Sequence, residues 1–388
     1  MRENTELVRG GLTRSGFDET AEALFLTSGY VYESAEQAEA TFAGDVDHYI
    51  YSRYGNPTVS MFEERLRLLE GSEDAWSTAS GMAAVFWSLA ALLEQGDRVV
   101  ASRDLFGSCF VILDELLPRW GIRTEFVNGA SLDEWEQALA TPAAAVFFES
   151  PSNPMQGLVD VAAVSELAHA AGAMVVVDNV FATPILQKPL TMGADIVVYS
   201  TTKHIDGQGR TMGGAILGSS EYIQEQLKPF MRHTGPTLSP FNAWVLVKSL
   251  ETLTLRVAHQ TGSALRLAEV LETTDRVNRV WYPGLASHPQ AALAGRQMSG
   301  GGTVVTFEVE GGKEGAFQVL NGTSIIDISN NLGDSKSLLT HPATTTHRRI
   351  GPEARAAVGI TDGVIRLSVG LEDVDDLLED LTGSLEQR

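Results

Sequence analysis

Short apolar runs alternate with helical patterns through the middle of the chain. Each run has four to six residues, and the segments between the runs place apolar residues at helical spacing. Strands that are separated by helices indicate a parallel sheet whose two faces are covered by helices. The predicted strands are 98–101, 124–127, 143–148, 174–177, 196–199 and 214–217.

The N-terminal part of the chain lacks this alternation. Residues 1–59 have weak periodicity, and we predict an extended arm with one short helix around residues 34–40. Over residues 60–91 the pattern is strongly helical, with a break at residues 71–72 and a new start at Ser80. Two helices are therefore expected between the arm and the first strand.

A change of pattern after about residue 250 predicts a second, smaller domain. A long helical pattern over 244–273 leads to strand candidates at 302–309 and 364–369, which are surrounded by helices. This arrangement indicates an α+β domain. The predicted parts are an arm (1–59), an α/β domain (60–250) and a C-terminal α+β domain (251–388).

Length and composition agree with a globular protein of two domains. The chain has 388 residues, of which 44% are hydrophobic, enough to bury a large core. The formal charge of −22 argues against a nucleic-acid or anionic-membrane partner, since either would require a basic patch. No apolar stretch reaches the roughly 18 to 20 residues of a membrane-spanning helix, and acidic residues occupy the N-terminus where a signal peptide would be apolar. We therefore expect a cytoplasmic protein.

The single cysteine, Cys109, limits the possible cysteine chemistry. It allows neither an internal disulfide nor a metal site built from several cysteines. Because Cys109 lies in an apolar segment, we expect it to be a small packing residue. The histidines are scattered without the spacing of metal ligands, so no metal site is predicted.

Candidate chemistry begins with a lysine near the end of an apolar run. Lys203 comes shortly after the run 194–199 and is followed by a glycine-rich segment, 204–214. Burial would lower the pKa of this amine, which favours formation of a Schiff base with an aldehyde. Many lysines at strand ends simply reach solvent, so this position alone proves little.

An aspartate at the end of another apolar run strengthens the interpretation. Asp178 follows the run 173–177, and its separation from Lys203 along the chain fits one crossover between neighbouring parallel strands. The two side chains would then lie at the carboxyl edge of the sheet, the usual ligand crevice of open α/β folds. Pyridoxal phosphate (PLP) needs this pair, an amine for its aldehyde and an anion that keeps its ring nitrogen protonated.

A phosphate site is predicted at the start of a helix. Ser80 is a suitable N-cap and Gly81 lies in the first turn, so free backbone N–H groups and the positive end of the helix dipole would face a phosphate. A Ser-Gly pair before a helix is also ordinary capping. Ser200 and Thr202 flank Lys203 closely enough for their hydroxyl groups to reach the same phosphate.

Other classes of protein fit the sequence less well. A dinucleotide-binding oxidoreductase would need G-x-G-x-x-G after its first strand, whereas the glycines at 300–302 precede a strand and lack that spacing. The sequence contains no G-x-x-x-x-G-K-[ST] motif either. A non-catalytic, PLP-binding regulatory protein is the alternative outside enzymes. The predicted role of Lys203 argues against it, because a scaffold needs no Schiff-base chemistry.

Six motifs, in order along the chain, resemble the cystathionine γ-synthase family of PLP enzymes of methionine and cysteine metabolism. Each motif alone is weak, but six in the same order are specific. The resemblance extends from about residue 10 to residue 385. The motifs are 51–58, 80–84, 149–154, 177–179, 200–203 and 366–373. The first of them places an arginine and two phenols in a Gly-Asn-Pro turn.

The resemblance implies a fold and an assembly. The fold would be the PLP-dependent, aspartate-aminotransferase-like (type I) fold, an α/β architecture with a mostly parallel sheet in the large domain and a smaller C-terminal α+β domain. The assembly would be a homotetramer built from dimers, with active sites shared within each dimer.

The resemblance also implies roles for single residues. Lys203 would be the Schiff-base lysine and proton shuttle, and Asp178 would pair with the pyridine nitrogen. Phe106 falls at the position of the aromatic residue that stacks on the cofactor ring. The residues implied at the phosphate are Ser80, Gly81, Met82, Ser200 and Thr202, with Tyr51 and Arg53 reaching it from the neighbouring subunit. The residues implied near the substrate are Asn153, Asn331 and Arg366, the last of which is suited to clamp a carboxylate.

Three departures from common family patterns indicate which branch the chain resembles. Phe106 replaces a tyrosine whose phenol has been assigned acid–base work on the substrate amine. Lys336 stands where cystathionine-handling relatives often carry a glutamate that faces the distal ammonium of cysteine or cystathionine. A lysine would repel that ammonium, whereas sulfide has no such conflict. Val111 stands where cystathionine γ-synthases place an arginine for the succinyl carboxylate, so Arg210 or Lys336 would have to replace it, or the donor is O-acetylhomoserine.

The segments 203–210, 331–336 and 341–347 resemble most the branch of the family that uses O-succinylhomoserine and sulfide. The expected reaction is γ-replacement, in which sulfide replaces the acyloxy group of O-succinyl-L-homoserine and gives L-homocysteine for methionine biosynthesis. Lys203 and Asp178 are the expected catalytic residues. O-acetylhomoserine sulfhydrylase and cystathionine γ-synthase or γ-lyase are the alternatives within the family.

Overall fold

The computed structural model describes residues 1–386, and its larger part is built on a seven-stranded sheet. The strands are β1 (Asp74–Thr78), β2 (Arg98–Ser102), β3 (Arg123–Val127), β4 (Ala145–Glu149), β5 (Met174–Asp178), β6 (Ile196–Tyr199) and β7 (Gly214–Gly218). Their order is β1-β7-β6-β5-β4-β2-β3, with β2 to β6 mutually parallel and β7 antiparallel to both of its neighbours. The predicted mostly parallel sheet is confirmed. The strand β7 is antiparallel because a loop without a helix joins it to β6, so the chain does not cross over before pairing.

A second sheet of five strands lies in the C-terminal part. Its strands are β8 (Val277–Trp281), β9 (Val304–Val309), β10 (Asp327–Ile328), β11 (Leu338–Thr340) and β12 (Val364–Ser368). The order is β10-β11-β12-β9-β8, and only the β10–β11 pair is parallel. The predicted strands at 302–309 and 364–369 are confirmed as β9 and β12.

Fifteen α-helices pack around the two sheets in the described part of the chain. They are α1 (Glu3–Arg9), α2 (Ala35–Ala43), α3 (Pro57–Glu70), α4 (Gly81–Ala90), α5 (Gly107–Val111), α6 (Leu132–Leu139), α7 (Val161–Ala170), α8 (Thr183–Leu186), α9 (Lys228–Thr234), α10 (Pro240–Leu250), α11 (Leu253–Leu271), α12 (Ala291–Gln297), α13 (Gly312–Gly322), α14 (Gly351–Ala357) and α15 (Val374–Glu386). Short 3₁₀ or π segments occur at Ile112–Leu116, Leu117–Trp120, Pro189–Met192, Tyr222–Leu227 and Pro342–Thr344. None of these helices is both long and apolar enough to cross a membrane.

The central strands of the large sheet are buried on both faces. Along β5, Val175 and Val177 belong to the apolar cluster that contains α3, α7 and α10, whereas Val176 belongs to the cluster that contains α4 and α5. Alternate residues of a strand point to opposite faces, so a strand covered on both sides needs an unbroken apolar run. This is why the runs were visible in the sequence. A third cluster joins the small sheet to α11, α13 and α15.

Some elements differ from the prediction. The segment between α3 and α4 was expected to be a break between two helices, but it contains the edge strand β1. The arm contains α1 as well as the expected short helix α2, and Leu7 of α1 is buried against α3. The pattern over 244–273 is two helices, α10 and α11, because the chain turns at residues 251–252. The predicted domain limits stay a prediction, and the last two residues of the predicted third part lie outside the described residues.

Candidate active site

The carboxyl ends of neighbouring parallel strands form one wall of a cavity of about 280 Å³. Strand β4 ends at Glu149, β5 ends at Asp178, and β6 ends shortly before Lys203. Asp178 lies opposite Glu149 on one side and opposite Val198 on the other in the parallel register. The predicted neighbourhood of the β5 and β6 strand ends is confirmed. The predicted site residues that line the cavity are Ser80, Gly81, Met82, Phe106, Asn153, Asp178, Ser200, Thr202, Lys203 and Arg366.

Lys203 carries an amine with a lowered pKa. Its Nζ donates a hydrogen bond of 2.6 Å to Oδ1 of Asn331. Burial, with a smaller contribution from the positive charge of Arg366, lowers the pKa of Lys203 to about 8. An amine with this pKa is partly uncharged near neutral pH, as attack on an aldehyde requires.

Asp178 and Glu149 are neighbouring acids on the same edge of the sheet. Oδ1 of Asp178 accepts a hydrogen bond of 3.0 Å from the N–H of Val180. Burial raises the pKa of both carboxyl groups, and repulsion from Asp178 raises the pKa of Glu149 further. Glu149 is buried, whereas Asp178 is partly exposed to the cavity. We therefore assign the proton of the pair mainly to Glu149, which leaves Asp178 available as the anion.

Cys109 lies beside the two acids. Its sulfur and one oxygen of each carboxyl group are within 4.8 Å of one another, a geometry that could hold a metal ion. Burial raises the pKa of the Cys109 thiol well above its usual range, and burial with repulsion from Asp178 raises the pKa of Glu149, so both shifts disfavour the ionised forms that bind a metal. Cys109 packs in the apolar cluster with α4 and α5, as expected, but it also lines the cavity.

The N-terminus of α4 forms another part of the wall. Oγ of Ser80 accepts a hydrogen bond of 3.2 Å from the N–H of Ala83, which makes Ser80 the N-cap. The N–H groups of Gly81 and Met82 belong to the first turn and have no acceptor within the helix. A Cβ at Gly81 would lie 2.5 Å from Cβ and 2.7 Å from Oγ of Ser200, so only glycine allows this close approach. Helix N–H groups and a hydroxyl group held together in this way suit a phosphate.

Thr202 is tied to the loop that precedes β7. Its Oγ1 accepts a hydrogen bond of 3.1 Å from the N–H of Gly213 and donates one of 3.3 Å to the carbonyl oxygen of the same residue. These bonds fix the segment that carries Ser200, Thr202 and Lys203 against the start of β7.

Phe106 directly precedes α5 and lines the cavity. Its N–H donates a hydrogen bond of 2.7 Å to Oε1 of Glu149, which fixes the backbone at this point. A phenyl side chain offers packing surface and no proton donor. Phe106 can therefore stack on a planar ligand but cannot act as an acid or base.

Arg366 is buried and has no acidic partner in the described part of the chain. Its guanidinium donates hydrogen bonds of 3.0 Å to Oδ1 of Asn153 and of 2.9 and 3.1 Å to the carbonyl oxygens of Asn330 and Asn331. Its Nε has no hydrogen-bond partner. Burial alone lowers the pKa of Arg366 to about 10. A buried cation without an anion is costly unless a ligand brings the anion, and a carboxylate is the natural one.

Tyr51 and Arg53 do not reach this cavity within one chain. Arg53 lines a different cavity of about 370 Å³. Its guanidinium carbon lies 4.7 Å from the centre of the Tyr54 ring and 5.6 Å from that of Tyr51. The predicted contact of Tyr51 and Arg53 with a neighbour's phosphate stays a prediction.

The two cations suggested for the succinyl group do not line the cavity either. Nε of Arg210 donates to Oδ1 of Asp206 at 3.1 Å, which commits its charge to that carboxylate. Lys336 is 64% exposed, and its Nζ is 3.8 Å from Oδ1 of Asp334. Val111, on α5, does not line the cavity. Arg210 and Lys336 are therefore poor candidates for binding an acyl carboxylate in this chain's own cavity.

Sequence reasoning assigned no role to part of the cavity wall. The unassigned residues are Val85, Cys109, Glu149, Pro151, Val180, Phe181, Met212, Asn330, Leu332 and Thr346. Glu149 could have been found, because it directly follows a buried apolar run, as Asp178 does. The other positions carry ordinary packing or loop residues, and nothing in their sequence distinguishes them.

The cavity fits PLP. It offers a partly uncharged amine and a neighbouring carboxyl group for the aldehyde and the ring nitrogen, and a helix N-terminus for the phosphate. The close approach of Gly81 to Ser200 leaves backbone N–H groups open at that terminus. The unpartnered Nε of Arg366 leaves a buried donor at the cavity that an anionic group could occupy.

Comparison with known proteins agrees with this geometry. The family model described as "Cys/Met metabolism PLP-dependent enzyme" matches residues 4–386. The chain is 66% identical over 382 residues to an O-succinylhomoserine sulfhydrylase of Mycobacterium tuberculosis, covering 97% of this chain and 94% of the relative. It is 50% identical over 382 residues to an O-succinylhomoserine sulfhydrylase of Pseudomonas aeruginosa, covering 98% of this chain and 94% of that relative.

A solved structure extends the comparison to the fold and the cofactor. It is a putative O-acetylhomoserine (thiol)-lyase from Campylobacter jejuni that contains N'-pyridoxyl-lysine-5'-monophosphate. It superimposes with a TM-score of 0.96 at 30% identity and covers 100% of both chains. The predicted fold class and cofactor are thereby confirmed. This chain belongs to the family of PLP-dependent enzymes of cysteine and methionine metabolism.

Proposed function

We propose that this protein is an O-succinylhomoserine sulfhydrylase. It replaces the succinyloxy group of O-succinyl-L-homoserine by sulfide and releases L-homocysteine and succinate for methionine biosynthesis. The similarity to two sulfhydrylases, at 66% and 50% identity over nearly the full length, supports the reaction. The main structural observation is that Lys203, Asp178 and an unpaired, buried Arg366 line one cavity.

The chain's own residues would hold the cofactor and move protons. Bound PLP supplies an electron sink for the negative charge that remains on substrate carbons when protons leave. The lowered pKa of Lys203, about 8, lets this amine bind the aldehyde and later accept and return a proton at the substrate α-carbon. Asp178 would hold the proton on the ring nitrogen, and Phe106 would stack on the ring. The N–H groups of Gly81 and Met82, with the nearby hydroxyl groups, hold the phosphate.

Arg366 and its neighbours would orient the amino-acid substrate. The guanidinium is suited to bind the α-carboxylate in a bidentate manner, and Oδ1 of Asn153 fixes its position. Asn331 contacts both functional cations, since its side-chain oxygen accepts from Lys203 and its carbonyl oxygen accepts from Arg366. This residue therefore sets the separation between the proton-transfer group and the carboxylate clamp.

The charges of the cavity favour sulfide over cysteine as the acceptor. A cysteine acceptor brings an ammonium group, which needs an anion in the site. The acids that line the cavity are Glu149 and Asp178, and both lie at the ends of β4 and β5, where the ring nitrogen would bind. Lys336 adds a positive charge outside the lining, although its exposure and the neighbouring Asp334 weaken the effect.

We also propose a cytoplasmic homotetramer built from dimers that share their active sites. Of the nineteen large apolar side chains that are exposed among the described residues, ten lie within residues 1–51. Exposed apolar side chains concentrated in one segment are typical of a surface that another chain covers. Tyr51 is one of them, and in its own chain it lies away from the Lys203 cavity. An arm that packs on a neighbouring subunit would deliver Tyr51 and Arg53 to that subunit's phosphate.

The reaction is tested by offering each donor with each acceptor. Purified enzyme with PLP is given O-succinyl- or O-acetyl-L-homoserine, together with sulfide or L-cysteine at equal concentrations, and homocysteine and cystathionine are measured. We expect homocysteine from O-succinylhomoserine and sulfide at the highest kcat/KM. Cystathionine as the dominant product would identify a cystathionine γ-synthase instead, and preference for the acetyl ester would identify an O-acetylhomoserine sulfhydrylase.

Sharing of the active sites is tested by mixing two inactive variants. Arg53→Ala subunits mixed with Lys203→Ala subunits form hybrid dimers that contain one site free of both changes. Partial recovery of activity is therefore expected when exchange of subunits is verified by mass spectrometry. Verified exchange without any recovery would mean that each chain completes its own site.

A further inference from the structure

Two arginines surround one tyrosine ring in the cavity that contains Arg53. The guanidinium carbon of Arg53 lies 4.7 Å from the centre of the Tyr54 ring, and that of Arg232 lies 5.2 Å from the same centre. Arg53 also donates a hydrogen bond to the carbonyl oxygen of Arg232, which joins the arm to the last turn of α9. Lys228, one turn earlier on α9, lines the same cavity. Three cations therefore share one cavity of about 370 Å³.

Neither arginine has an anionic partner within residues 1–386. Nε of Arg232 is buried and has no hydrogen-bond partner. Two acids line the cavity, Glu63 and Asp47. Glu63 is committed to Ser77, whose N–H and hydroxyl groups both donate to its Oε1 at 2.7 Å. Asp47 is exposed to solvent. Two guanidinium groups that form no ion pair with either acid, with one nitrogen already desolvated, indicate an anion that comes from outside the chain.

The proposed substrate has an anionic group without a partner. An O-succinyl ester carries a distal carboxylate in addition to the α-carboxylate. The cations that line the Lys203 cavity are Lys203 and Arg366, and both are already assigned. Arg210 and Lys336 do not line it. The chain therefore supplies no cation for the distal carboxylate in its own cavity.

The surroundings of both cavities indicate that they meet across a subunit interface. Tyr51 is 43% exposed and Phe230, two residues before Arg232, is 42% exposed. Met212, which lines the Lys203 cavity, is 66% exposed. Exposed aromatic residues and methionine around arginines are the composition that protein interfaces favour. The rim of the substrate cavity and the arginine pair thus both lie in surfaces that another copy of the chain would cover.

We propose that Arg232 of one subunit binds the distal carboxylate of the acyl group in the neighbouring subunit's cavity. This inference rests on the proposed function and on active sites that are shared between subunits. Each arginine then binds one anion: Arg53 binds the cofactor phosphate, and Arg232 binds the distal carboxylate of the donor. Arg232 is thus a specificity-determining residue that favours a dicarboxylic acyl group over acetyl.

The test separates the donor from the cofactor. Arg232→Met removes the charge and keeps an apolar chain of similar length, Arg232→Lys keeps the charge, and Arg53→Met tests the other half of the pair. Arg279→Met is a matched control, because Arg279 also lies over an aromatic ring, that of Trp281 at 4.9 Å, but belongs to the small sheet. For each variant we measure kcat/KM with both donors and sulfide, the Kd of the apoenzyme for PLP, and calorimetric binding of succinate and acetate to the holoenzyme.

With Arg232→Met we expect kcat/KM for O-succinylhomoserine to fall about 10- to 100-fold, the usual effect of losing one hydrogen bond between charged groups. Binding of succinate should weaken in parallel, while the acetyl donor and the Kd for PLP change less than about twofold. Arg232→Lys should recover part of the loss, and Arg53→Met should instead weaken PLP binding. The Arg279→Met control should match the wild type in every measurement.

Several results would overturn the inference. Equal losses with both donors, no change in succinate binding, or weaker PLP binding in Arg232→Met would each exclude a role for Arg232 at the distal carboxylate. If Arg232→Met lowers the melting temperature, the role of Arg232 is judged from the Arg232→Lys variant and from the comparison of succinate with acetate binding. A wild-type enzyme that prefers the acetyl donor would refute the proposed function. If the wild type prefers the succinyl donor and Arg232→Met keeps the same kcat/KM for it, only this inference is refuted.

Discussion

Replacing Gly81 by alanine tests the phosphate site without changing any charge. Gly81 is the first residue of α4 and has ordinary helical conformation, so an alanine causes no backbone strain by itself. The added methyl group would lie 2.5 Å from Cβ, 2.7 Å from Oγ and 2.9 Å from Cα of Ser200. Because Cα belongs to the backbone, rotation of the serine side chain cannot relieve the contact. The start of α4 or the segment after β6 must move.

The size of the effect follows from this geometry. An ordinary contact begins at 3.4 Å, so the two segments must separate by about 0.9 Å at the closest pair of atoms. Extra methyl groups in a packed site typically cost about 1–3 kcal/mol, and alanine regains at most about 1 kcal/mol through its better helix propensity. We expect a net loss of about 1–2 kcal/mol in the free energy of unfolding of the apoenzyme.

The effect on PLP should exceed the effect on stability. A displacement of this size moves the N–H groups of Gly81 and Met82 away from the phosphate. Loss of one hydrogen bond to a charged group is worth about 1.5–3 kcal/mol, so the Kd for PLP should rise about 10- to 100-fold. The Kd is measured by titrating apoenzyme with PLP and following absorbance and protein fluorescence, and stability is measured by urea unfolding without PLP.

Two further variants make this experiment specific. Gly262 is the matched control, because it also lies in a helix, α11, but a Cβ there meets nothing within 4 Å. Gly262→Ala should leave PLP binding unchanged and raise stability by up to about 1 kcal/mol. In a Ser200→Gly background the clash is reduced, so Gly81→Ala should cost less than it does in the wild type. Wild-type affinity for PLP in Gly81→Ala, or equal costs in both backgrounds, would refute the assignment of this helix terminus to the phosphate.

Three other predictions concern the charged groups. The rate of PLP uptake by apoenzyme should rise with pH through a midpoint near 8, since the pKa of Lys203 is lowered to about 8 and its neutral form increases above that pH. Arg366→Met should shift this midpoint upward, because it removes a positive charge that lowers the pKa of Lys203. A wild-type midpoint near 10.5, the ordinary value for lysine, would contradict the effect of burial. Asp178→Asn should still retain a borohydride-fixed cofactor on Lys203 but lose most turnover, because a neutral amide no longer keeps the pyridinium protonated, and Lys203→Ala is the control that fixes none; near-normal turnover in Asp178→Asn would be inconsistent with this role. Lys336→Glu should raise kcat/KM for cysteine relative to sulfide only about two- to fivefold, since exposed ion pairs are worth about 0–1 kcal/mol, and an unchanged ratio would exclude Lys336 from acceptor selection.

Most of the large sheet was predictable because its central strands are buried on both faces. Such strands appear as unbroken apolar runs, and all six predicted runs are strands. β1 was missed because this edge strand contains the polar residues Ser77 and Thr78 and lies between two helices. The break inside 244–273 was missed because both helices keep the same apolar spacing across it.

The catalytic centre was predictable for a different reason. Lys203, Asp178 and Arg366 are charged residues beside or within apolar runs, where burial is costly, so their positions indicate a function. Glu149 is also a charged residue at the end of a buried apolar run, but in the sequence it was identified only as part of the motif 149–154. The contacts of Arg53 with Tyr54 and Arg232 could not be found in this way, because no periodic pattern in the sequence links the arm to α9.

The charge balance of the cavity explains why these groups can be buried together. Arg366 is a buried cation without an anion, while burial raises the pKa of Asp178 and of Glu149, and repulsion from Asp178 raises the pKa of Glu149 further. An ion pair between Arg366 and the acids would neutralise their charges, but Arg366 lies on the small sheet and the acids lie on the large sheet. The proposed ligands would complete the pairing, with a protonated ring nitrogen for Asp178 and a carboxylate for Arg366. In the apoenzyme, the burial of these charged groups costs several kcal/mol that no ion pair offsets. Binding of cofactor and substrate would offset this cost at the two places where the reaction needs fixed charges.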